Sequence, residues 1–356
     1  MSVDCIVIGQ GICGTFLSWY LEKAGLSFIV IDESAEATAS KAAAGIINPV
    51  TGRRMVKTWM IDELLPFALD AYGQIGLELG ISCIAQQNIV DFFPSPQMRL
   101  AFLDRYKENS QYLQKPNEEN AWRSHFNYDF GFGEIQPGYL VDLNKLLAAF
   151  RIKLINSDQL REDQFIAGDL VVSDESIHYR DLQAGRIIFC DGIGGSSNPY
   201  FGNLPFAPNK GEALIVEISD LPPGHIYKKG MSVASWKENL YWVGSSYEWK
   251  FDDDKPTEGF RQRTEYGLKE WLKVPFKIVG HLASIRPATL ERRPFVGFHP
   301  LKKNIGILNG MGTKGCSLAP FFASQLVQHI RHQSAIIPEA GVQRFSNILG
   351  RSFFSN

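Results

Sequence analysis

Three glycines that follow a short apolar run near the N-terminus constrain the fold of this chain more than any other feature. The run occupies residues 6–8, and Gly9, Gly11 and Gly14 then form the pattern G-x-G-x-x-G. In this pattern the first glycine permits a tight turn after a buried strand, the second lets a pyrophosphate approach the backbone, and the third lets a helix lie close to the sheet. The pattern therefore predicts a strand, a phosphate-binding turn and a helix in immediate succession.

The residues that follow the glycines support a dinucleotide-binding unit. Apolar side chains recur at helical spacing from Ile12 to Tyr20, and Gly25 ends the predicted helix. Residues 28–31 predict a second strand, and Asp32 at its end can accept hydrogen bonds from a ribose diol. An acidic residue at this position favours FAD or NAD over NADP, but it does not distinguish FAD from NAD.

A stretch of very small side chains comes next and has two interpretations. Residues 42–45 carry almost no side chain, which suits either a flexible surface loop or a backbone held against a flat ligand. The Asn-Pro turn that begins at Asn48 favours the second interpretation. Ser40 and Lys41 would then face the phosphates of the ligand, and its ring system would be lined by Gly45, Ile46 and Ile47.

A basic cluster formed by Arg53, Arg54 and Lys57 precedes Trp59. It is either a solvated face beside a buried tryptophan or an anion-binding rim on a substrate cleft. The sequence alone does not choose between these two interpretations.

The middle of the chain alternates between helical and strand patterns. Pro66 is expected to kink or restart one predicted helix, Asp142 to cap another, and Gly192 to close a buried strand. The predicted helices are residues 59–81, 98–106, 138–150 and 258–272, and the predicted strands are residues 88–93, 165–166, 170–172, 176–179, 187–189, 213–217, 232–236 and 240–246.

Residues 205–283 carry many aromatic side chains and predict an antiparallel sheet with one face open to a ligand. Each aromatic residue taken singly is better explained as an ordinary core or sheet side chain. The aromatic residues that would line a site on the open face are Trp236, Tyr241, Trp242, Tyr247 and Trp249.

A second glycine-rich turn lies near the C-terminus. Residues 305–308 predict a strand, and residues 317–330 predict a helix with Pro320 in its first turn. A flavin that becomes anionic on reduction gains from a second positive helix end at its ring, so this turn favours FAD. The loop between the strand and the helix contains Gly310, Gly312 and Gly315.

Composition and charge argue against several classes of protein. The chain has 356 residues, of which 45% are hydrophobic and 21% charged, and this suits about two globular domains. A net charge of −2 gives no general attraction to nucleic acid or to a membrane surface. No apolar run approaches the ~20 residues of a membrane span. The five cysteines are scattered without metal or redox spacing, so we expect no metal site and a cytoplasmic protein with reduced thiols.

Four sequence blocks together resemble the D-amino-acid oxidase/glycine oxidase superfamily of FAD-dependent amine oxidoreductases. They are GQGICG…VID, SKAAAGIINP, SIRPATLERRPFVG and LNGMGTKGCSLAP, and they are spread over the whole chain. The resemblance implies an α/β fold with a Rossmann-like FAD-binding domain of the glutathione-reductase type and a second, α+β substrate domain built on an antiparallel sheet. The discontinuous FAD-binding domain would comprise residues 1–81, 138–204 and 284–356, and the substrate domain residues 82–137 and 205–283.

The resemblance also implies the residues of the site. Arg286, in the R-P-x-T block, would hold the substrate carboxylate beside the flavin, and its planar fork suits bidentate binding. Tyr247 stands where a methionine of the family lines the pocket, and Ser232 stands where glycine oxidase has an aromatic residue. These departures weaken the case for glycine itself as the substrate. FAD, held without a covalent link, would contact Gly9, Gly11, Ile12, Cys13, Gly14, Asp32, Glu33, Ser40, Lys41, Ala44, Gly45, Ile46, Phe165, Gly192, Arg286, Gly310, Met311, Gly312, Thr313, Lys314 and Gly315.

The implied reaction is oxidation of the C–N bond of an amino acid or secondary amine by hydride transfer to flavin N5, with O₂ or another acceptor reoxidising the flavin. The alternatives are an NAD-dependent dehydrogenase, a flavin-binding protein without turnover, and an enzyme like the oxidase that modifies the wobble uridine of tRNA. The last glycine-rich block resembles that oxidase, but the chain has no methyltransferase half and no net basic charge, so we do not expect a nucleic-acid partner. Neither the particular amine nor the oligomeric state follows from the sequence.

Overall fold

The structure is a computed structural model that describes residues 1–350. In this range the α-helices, numbered α1 to α8 in chain order, are Ile12–Lys23, Ala39–Ala42, Ile61–Leu79, Pro96–Glu108, Leu143–Asn156, Glu258–Trp271, Gly315–His332 and Ser346–Leu349. The β-strands, numbered β1 to β21, are Ser2–Ile8, Phe28–Ile31, Ile46–Ile47, Val50–Thr51, Val56–Lys57, Ile84–Gln86, Asn88–Phe92, Leu113–Gln114, Phe132–Ile135, Tyr139–Val141, Leu160–Arg161, Leu170–Val172, Ile177–Tyr179, Leu182–Phe189, Asn209–Glu217, His225–Lys229, Met231–Lys237, Leu240–Gly244, Lys277–Arg286, Phe295–Phe298 and Ile305–Asn309.

The first large sheet contains the strand–glycine–helix unit predicted at the N-terminus. Strands β11, β2, β1, β14 and β21 lie side by side and run parallel, and β12, β13 and β20 extend the sheet by antiparallel pairing. Every residue of β2 and β21 is buried, as expected for parallel strands covered on both faces. The carboxyl ends of β1, β2, β14 and β21 therefore meet at one edge of the sheet.

Helices cover one face of this sheet and form the largest hydrophobic core. Cys5 and Val7 of β1 belong to that core, whereas Ile6 and Ile8 face a second core on the other side. Helix α1 packs against α7, and α3 also packs against α7. The rings of Phe16 in α1 and Tyr72 in α3 meet edge to face, with 5.1 Å between their centroids.

The second large sheet has the strand order β19-β15-β18-β17-β16-β7-β9-β8. All of its pairings are antiparallel except the parallel pair β7 and β16. Helix α6 covers one face, where Phe260, Leu268 and Trp271 join a core with Leu214 and Val216 of β15. The opposite face of the central strands stays open to a cavity.

The predicted division into two domains remains a proposal, and the strand membership of the two sheets supports it. The first sheet draws its strands from residues 2–31, 160–189 and 295–309, and the second from residues 88–135 and 209–286. Strand β19 crosses the expected boundary at residue 284 and ends at Arg286. Residues 351–356 of the predicted FAD-binding domain lie outside the described residues.

Two local predictions in the middle of the chain were wrong. Residues 139–141 begin no helix, because they form β10, which pairs with β3 on one side and β6 on the other. Helix α5 starts after them, with the Asp142 carboxylate accepting a hydrogen bond from the Lys145 amide at 3.0 Å as its cap. Residues 165–166 form no strand, since Phe165 stacks on Tyr179 instead of joining a ladder.

Pro66 and Pro320, the two prolines that the sequence placed in predicted helices, both lie in helix interiors. Helix α3 is continuous from Ile61 to Leu79, so Pro66 does not restart it. Helix α7 begins at Gly315, two residues earlier than predicted, which moves Pro320 beyond the first turn. Pro320 has no N–H to offer the carbonyl of Cys316, and the Tyr72 hydroxyl donates to that carbonyl at 2.9 Å instead.

Residues 1–350 contain neither a membrane-spanning helix nor a cluster suited to a metal ion. None of the helices in this range is long and apolar enough to cross a membrane. No group of three or more histidine, cysteine or acidic residues in the same range is placed to hold a metal ion. All five cysteines are free and buried.

Candidate active site

A cavity of about 1400 Å³ lies between the carboxyl edge of the first sheet and the open face of the second. Single small-molecule sites usually have volumes of about 300–1,000 Å³, so this cavity has room for a large ligand and a second, smaller one. The first sheet contributes Gly9, Asp32, Cys190, Asp191 and Asn309, and the second sheet contributes Gly211, Ala213, Ser232, Trp242, Gly244, Ser284 and Arg286.

The N-terminal glycines are required by close backbone contacts. Gly9 has a φ of +95°, and a Cβ at this position would lie 2.6 Å from the carbonyl oxygen of Cys190. A Cβ on Gly14 would lie 1.8 Å from the carbonyl oxygen of Gly9. Gly14 therefore allows α1 to approach the turn but does not itself line the cavity.

Two helix N-termini open onto the same cavity. Helix α1 has Gly11 as its N-cap and helix α7 has Lys314, and neither helix has a capping side chain or an acidic residue in its first turn. Uncapped N–H groups and the positive end of the helix dipole attract anions. At α1, the amide of Ile12 donates to Ser40 Oγ at 3.1 Å, which places the Ser40 hydroxyl at the cavity wall. This donor set fits a dinucleotide with a pyrophosphate at one helix end and a ring system at the other.

The Asp32 carboxylate is held by three donors within the chain. It accepts hydrogen bonds from the amides of Gln10 at 2.8 Å and Ser34 at 2.9 Å, and from Arg151 Nη1 at 2.8 Å. Arg151 also donates to Glu162 at 2.8 Å. A carboxylate has about four acceptor sites, so Asp32 retains capacity for one ribose hydroxyl. Sequence reasoning missed Arg151, because it is 119 residues away from Asp32 in the chain.

Most of the residues predicted to bind the cofactor lie at the cavity, although their roles remain predictions. Gly14, Lys41 and Gly310 do not line it, and the Lys41 ammonium donates to the Ala35 carbonyl at 2.6 Å. Those that do line it are Gly9, Gly11, Ile12, Cys13, Asp32, Glu33, Ser40, Ala44, Gly45, Ile46, Phe165, Gly192, Arg286, Met311, Gly312, Thr313, Lys314 and Gly315.

Asn309 connects the turn at Gly192 with the turn at Gly310. It was not identified from the sequence. Its amide nitrogen donates to the Asp191 carboxylate at 2.9 Å and to the Gly192 carbonyl at 2.8 Å, while its amide oxygen accepts from the Gly310 N–H at 2.7 Å. Burial raises the pKa of Asp191 to about 6, against the lowering effect of hydrogen bonds from Asn198 and Asn309. Asn309 therefore fixes the end of β14 relative to the end of β21.

Arg286 lies at the end of β19 and points into the cavity. Its Nη1 donates to Asn209 Oδ1 at 2.8 Å and to the Ser246 carbonyl at 3.1 Å. The guanidinium lies over Gly211, where a Cβ would come within 1.8 Å of Nη2. Burial lowers the pKa of Arg286, but an arginine remains charged in proteins.

No carboxylate within residues 1–350 forms an ion pair with Arg286. Glu291, the nearest acid in sequence on the C-terminal side, pairs with Arg344 at 3.0 Å. Nε and Nη2 of Arg286 donate no hydrogen bond to another described residue. A partly buried guanidinium with two free donors on one edge is a ready site for an external carboxylate.

Lys314 is a second cation at the cavity wall. Its ammonium donates to Thr58 Oγ1 at 3.1 Å, and Thr58 is itself buried. Burial, with a smaller contribution from the charge of Arg292, lowers the pKa of Lys314 to about 8. No acidic residue in the described part of the chain pairs with it.

The predicted basic cluster is dispersed. Arg53 lines the cavity, whereas Arg54 is exposed and Lys57 pairs with Asp62 on the surface. Trp59 stacks on Phe322 within the core cluster of the first sheet. The interpretation as an anion-binding rim therefore applies to Arg53 alone and remains a prediction. Of the five aromatic residues suggested for the site, only Trp242 and Tyr247 line the described cavity.

The sheet with the glycine-rich turn and the antiparallel sheet thus share one cavity, as a dinucleotide-dependent oxidoreductase with a separate substrate domain requires. Residues 4–329 match the DAO family, whose description is FAD dependent oxidoreductase, and the chain belongs to this family. The protein is thus an FAD-dependent oxidoreductase, with a Rossmann-like FAD-binding domain and a substrate domain.

Individual relatives are distant in sequence but match over nearly the whole chain. The glycine oxidase of Pseudomonas aeruginosa is 22% identical over 362 residues, which cover 96% of this chain and 98% of the relative. The iminodiacetate oxidase of Chelativorans sp. BNC1 superposes with a TM-score of 0.76 at 20% identity, over 96% of this chain and 98% of the other. The L-proline dehydrogenase of P. horikoshii gives a TM-score of 0.77 at 16% identity, over 97% and 98% of the two chains. At these identities the structural likeness shows the fold.

Proposed function

We propose that the protein oxidises the C–N bond of an amino acid or secondary amine whose carboxylate is bound by Arg286. The observation that carries this proposal is a guanidinium that forms no ion pair with any acid within residues 1–350, in a cavity that also contains two helix N-termini. A buried cation without an internal anion is unfavourable unless a ligand supplies the missing charge. The carboxylate that all α-amino acids share would do so.

The residues that would hold FAD fall into three groups. The turn from Gly9 to Gly14 and Ser40 would bind the pyrophosphate, Asp32 would bind a ribose, and the α7 N-terminus with Gly45 and Ile46 would lie at the ring system. FAD supplies a two-electron acceptor for the hydride on the substrate carbon next to nitrogen. None of the five cysteines is in a position that matches a covalent flavin link, so we infer non-covalent binding.

The chain itself would orient the substrate and exclude water. Asn209 and the Ser246 carbonyl fix the Arg286 guanidinium, and Tyr247 stacks on it, so that its free edge faces one direction. Two fixed N–H donors on a carboxylate restrict how the substrate C–H bond can point. Trp242 and Leu282 add apolar wall on the same sheet.

The reaction balances without a side-chain base when the substrate amine binds neutral. The substrate would lose a hydride from carbon to the bound cofactor and release a proton from nitrogen to water. The resulting imine is hydrolysed by water to a carbonyl compound and an amine or ammonia. The two electrons taken from the substrate would finally pass to O₂ or another acceptor.

A matched substrate screen tests this proposal. Holoenzyme is mixed anaerobically with amino acids and N-alkyl amino acids, and in parallel with the corresponding amines that lack the carboxylate. We expect bleaching of the flavin absorbance by members of the first group, at rates at least about tenfold above those of their decarboxylated partners. Equal rates for the two groups, or no bleaching by either, would contradict the proposal.

A further inference from the structure

Lys314 and Thr58 form a polar corner of the cavity that the binding of one carboxylate by Arg286 does not use. Thr58 Oγ1 donates its proton to the Asn48 carbonyl at 3.0 Å and accepts the hydrogen bond from Lys314. An ammonium has three donors, and this bond occupies one of them. The other two have no partner within residues 1–350.

The charge that acts on Lys314 from nearby is positive. Arg292 lies close enough to lower the pKa of Lys314, and Lys314 itself occupies the N-cap of α7, at the positive end of that helix. Asn48 also lines the cavity, and its amide N–H₂ donates to no other described residue. A cation next to a cation and a positive helix end is unfavourable unless an anion binds there.

The loop that carries Lys314 is joined directly to the segment that follows Arg286. The amide of Gly312 donates to the carbonyl of Pro287 at 3.2 Å, which ties the loop before Lys314 to the residue after Arg286. The dinucleotide pyrophosphate has its own site at the α1 N-terminus, where Ser40 lies. The flavin ring, which would lie at the α7 N-terminus, is neutral while it is oxidised, so an anion at Lys314 in the oxidised enzyme would come from the substrate.

We propose that the substrate carries two anionic groups, one bound by Arg286 and the other by Lys314, whose ammonium Thr58 holds in position. The substrate class is then an amino or imino acid with a second acidic group, such as a dicarboxylic amino acid. This inference rests on the proposed function, since it names the substrate class of the same site.

Binding of unreactive acids to the oxidised holoenzyme tests the inference without turnover. The probes are malonate, succinate and glutarate against acetate, propionate and butyrate, followed by the change in flavin absorbance. For the best chain length we expect the dicarboxylate to bind at least about tenfold more tightly than its monocarboxylate partner. Equal affinities in the unmodified protein would overturn the inference.

Variants of Lys314 and Thr58 test whether these two residues cause the tighter binding of dicarboxylates. Lys314→Met should reduce the ratio of the two affinities to near one, and Thr58→Val, which removes only the hydroxyl, should reduce it in part. Lys303→Met is the matched control, because Lys303 is exposed and lies on the turn between β20 and β21. A ratio that survives both corner variants would overturn the inference, and so would a loss of FAD affinity at an unchanged ratio, since Lys314 would then serve the cofactor.

The two proposals fail in distinguishable ways. If amino acids with a single carboxylate reduce the flavin as fast as diacids and Lys314→Met affects both equally, only the inference of a second anionic group fails. If no amine or amino acid reduces the flavin, the proposed function itself fails, whatever the binding ratio.

Discussion

The guanidinium of Arg286 lies 4.7 Å from the centroid of the Tyr247 ring, and hydrogen bonds from Nη1 hold it in that position. Tyr247 is 56% exposed, so its ring covers the guanidinium at the mouth of the cavity instead of forming part of the core. The contact with Tyr247 and the hydrogen bonds from Nη1 leave Nε and Nη2 of Arg286 available to bind a ligand.

Tyr247→Leu should weaken the binding of carboxylate substrates by about two- to fivefold, because an exposed cation–π contact contributes about 0.5–1 kcal/mol. Tyr247→Phe should retain the affinity, since the ring and not the hydroxyl makes the contact. The measurement is the substrate concentration that gives half the maximal rate of anaerobic flavin reduction. Trp249→Leu is the control, because Trp249 is 60% exposed and does not line the cavity.

Asp32→Ala should raise the dissociation constant for FAD by about 10- to 150-fold, which corresponds to the 1.5–3 kcal/mol of a charged hydrogen bond. The variant should also melt at a lower temperature, because Arg151 and the Gln10 amide lose their acceptor. Titration of apoprotein with FAD measures the first effect. Asp181→Asn, at a surface pair with Arg161, should leave FAD affinity unchanged. An Asp32→Ala variant with normal FAD affinity would show that this carboxylate binds no ribose.

Tyr72→Phe should destabilise the protein by about 1–3 kcal/mol, because it leaves the buried carbonyl of Cys316 without a donor. Pro320→Ala supplies an N–H that can bond this carbonyl within α7, so the same tyrosine change should cost less in that background. Denaturant unfolding of the four proteins in this double-mutant cycle gives the coupling energy. Additive effects would exclude the compensation of Pro320 by Tyr72.

The binding of dicarboxylates should weaken as the pH rises above about 8, because the pKa of Lys314 is lowered to about 8 and only its cationic form attracts an anion. Arg292, whose charge acts on Lys314, and the cavity residues Arg53 and Arg286 stay positive over this range, and carboxylates stay ionised. Lys314→Arg should therefore retain binding up to pH 10. The same pH dependence in the arginine variant would assign the titration to another group.

Local sequence patterns predicted the elements that bind phosphate, whereas contacts between distant residues could not be predicted. The turn Gly9–Gly14 is specified by residues a few positions apart, and its strand and helix are where the pattern placed them. Arg286 and Asn209 are 77 residues apart, and nothing local to either residue shows that they will pair. The short apolar run at residues 139–141 was assigned to a helix because periodicity cannot distinguish strand from helix over three residues.

The central claim is that Arg286 binds the substrate carboxylate, and the anaerobic rate of flavin reduction in Arg286→Lys tests it most directly. Arg344→Lys is the matched control, since Arg344 pairs with Glu291 and does not line the cavity. A lysine keeps the charge but loses the planar fork, so we expect reduction by the best amino acid to slow by about 10- to 150-fold while FAD affinity stays within about twofold. The control should reduce its flavin at the normal rate. An Arg286→Lys variant that melts at a lower temperature but reduces its flavin as fast as the unmodified protein would contradict the account.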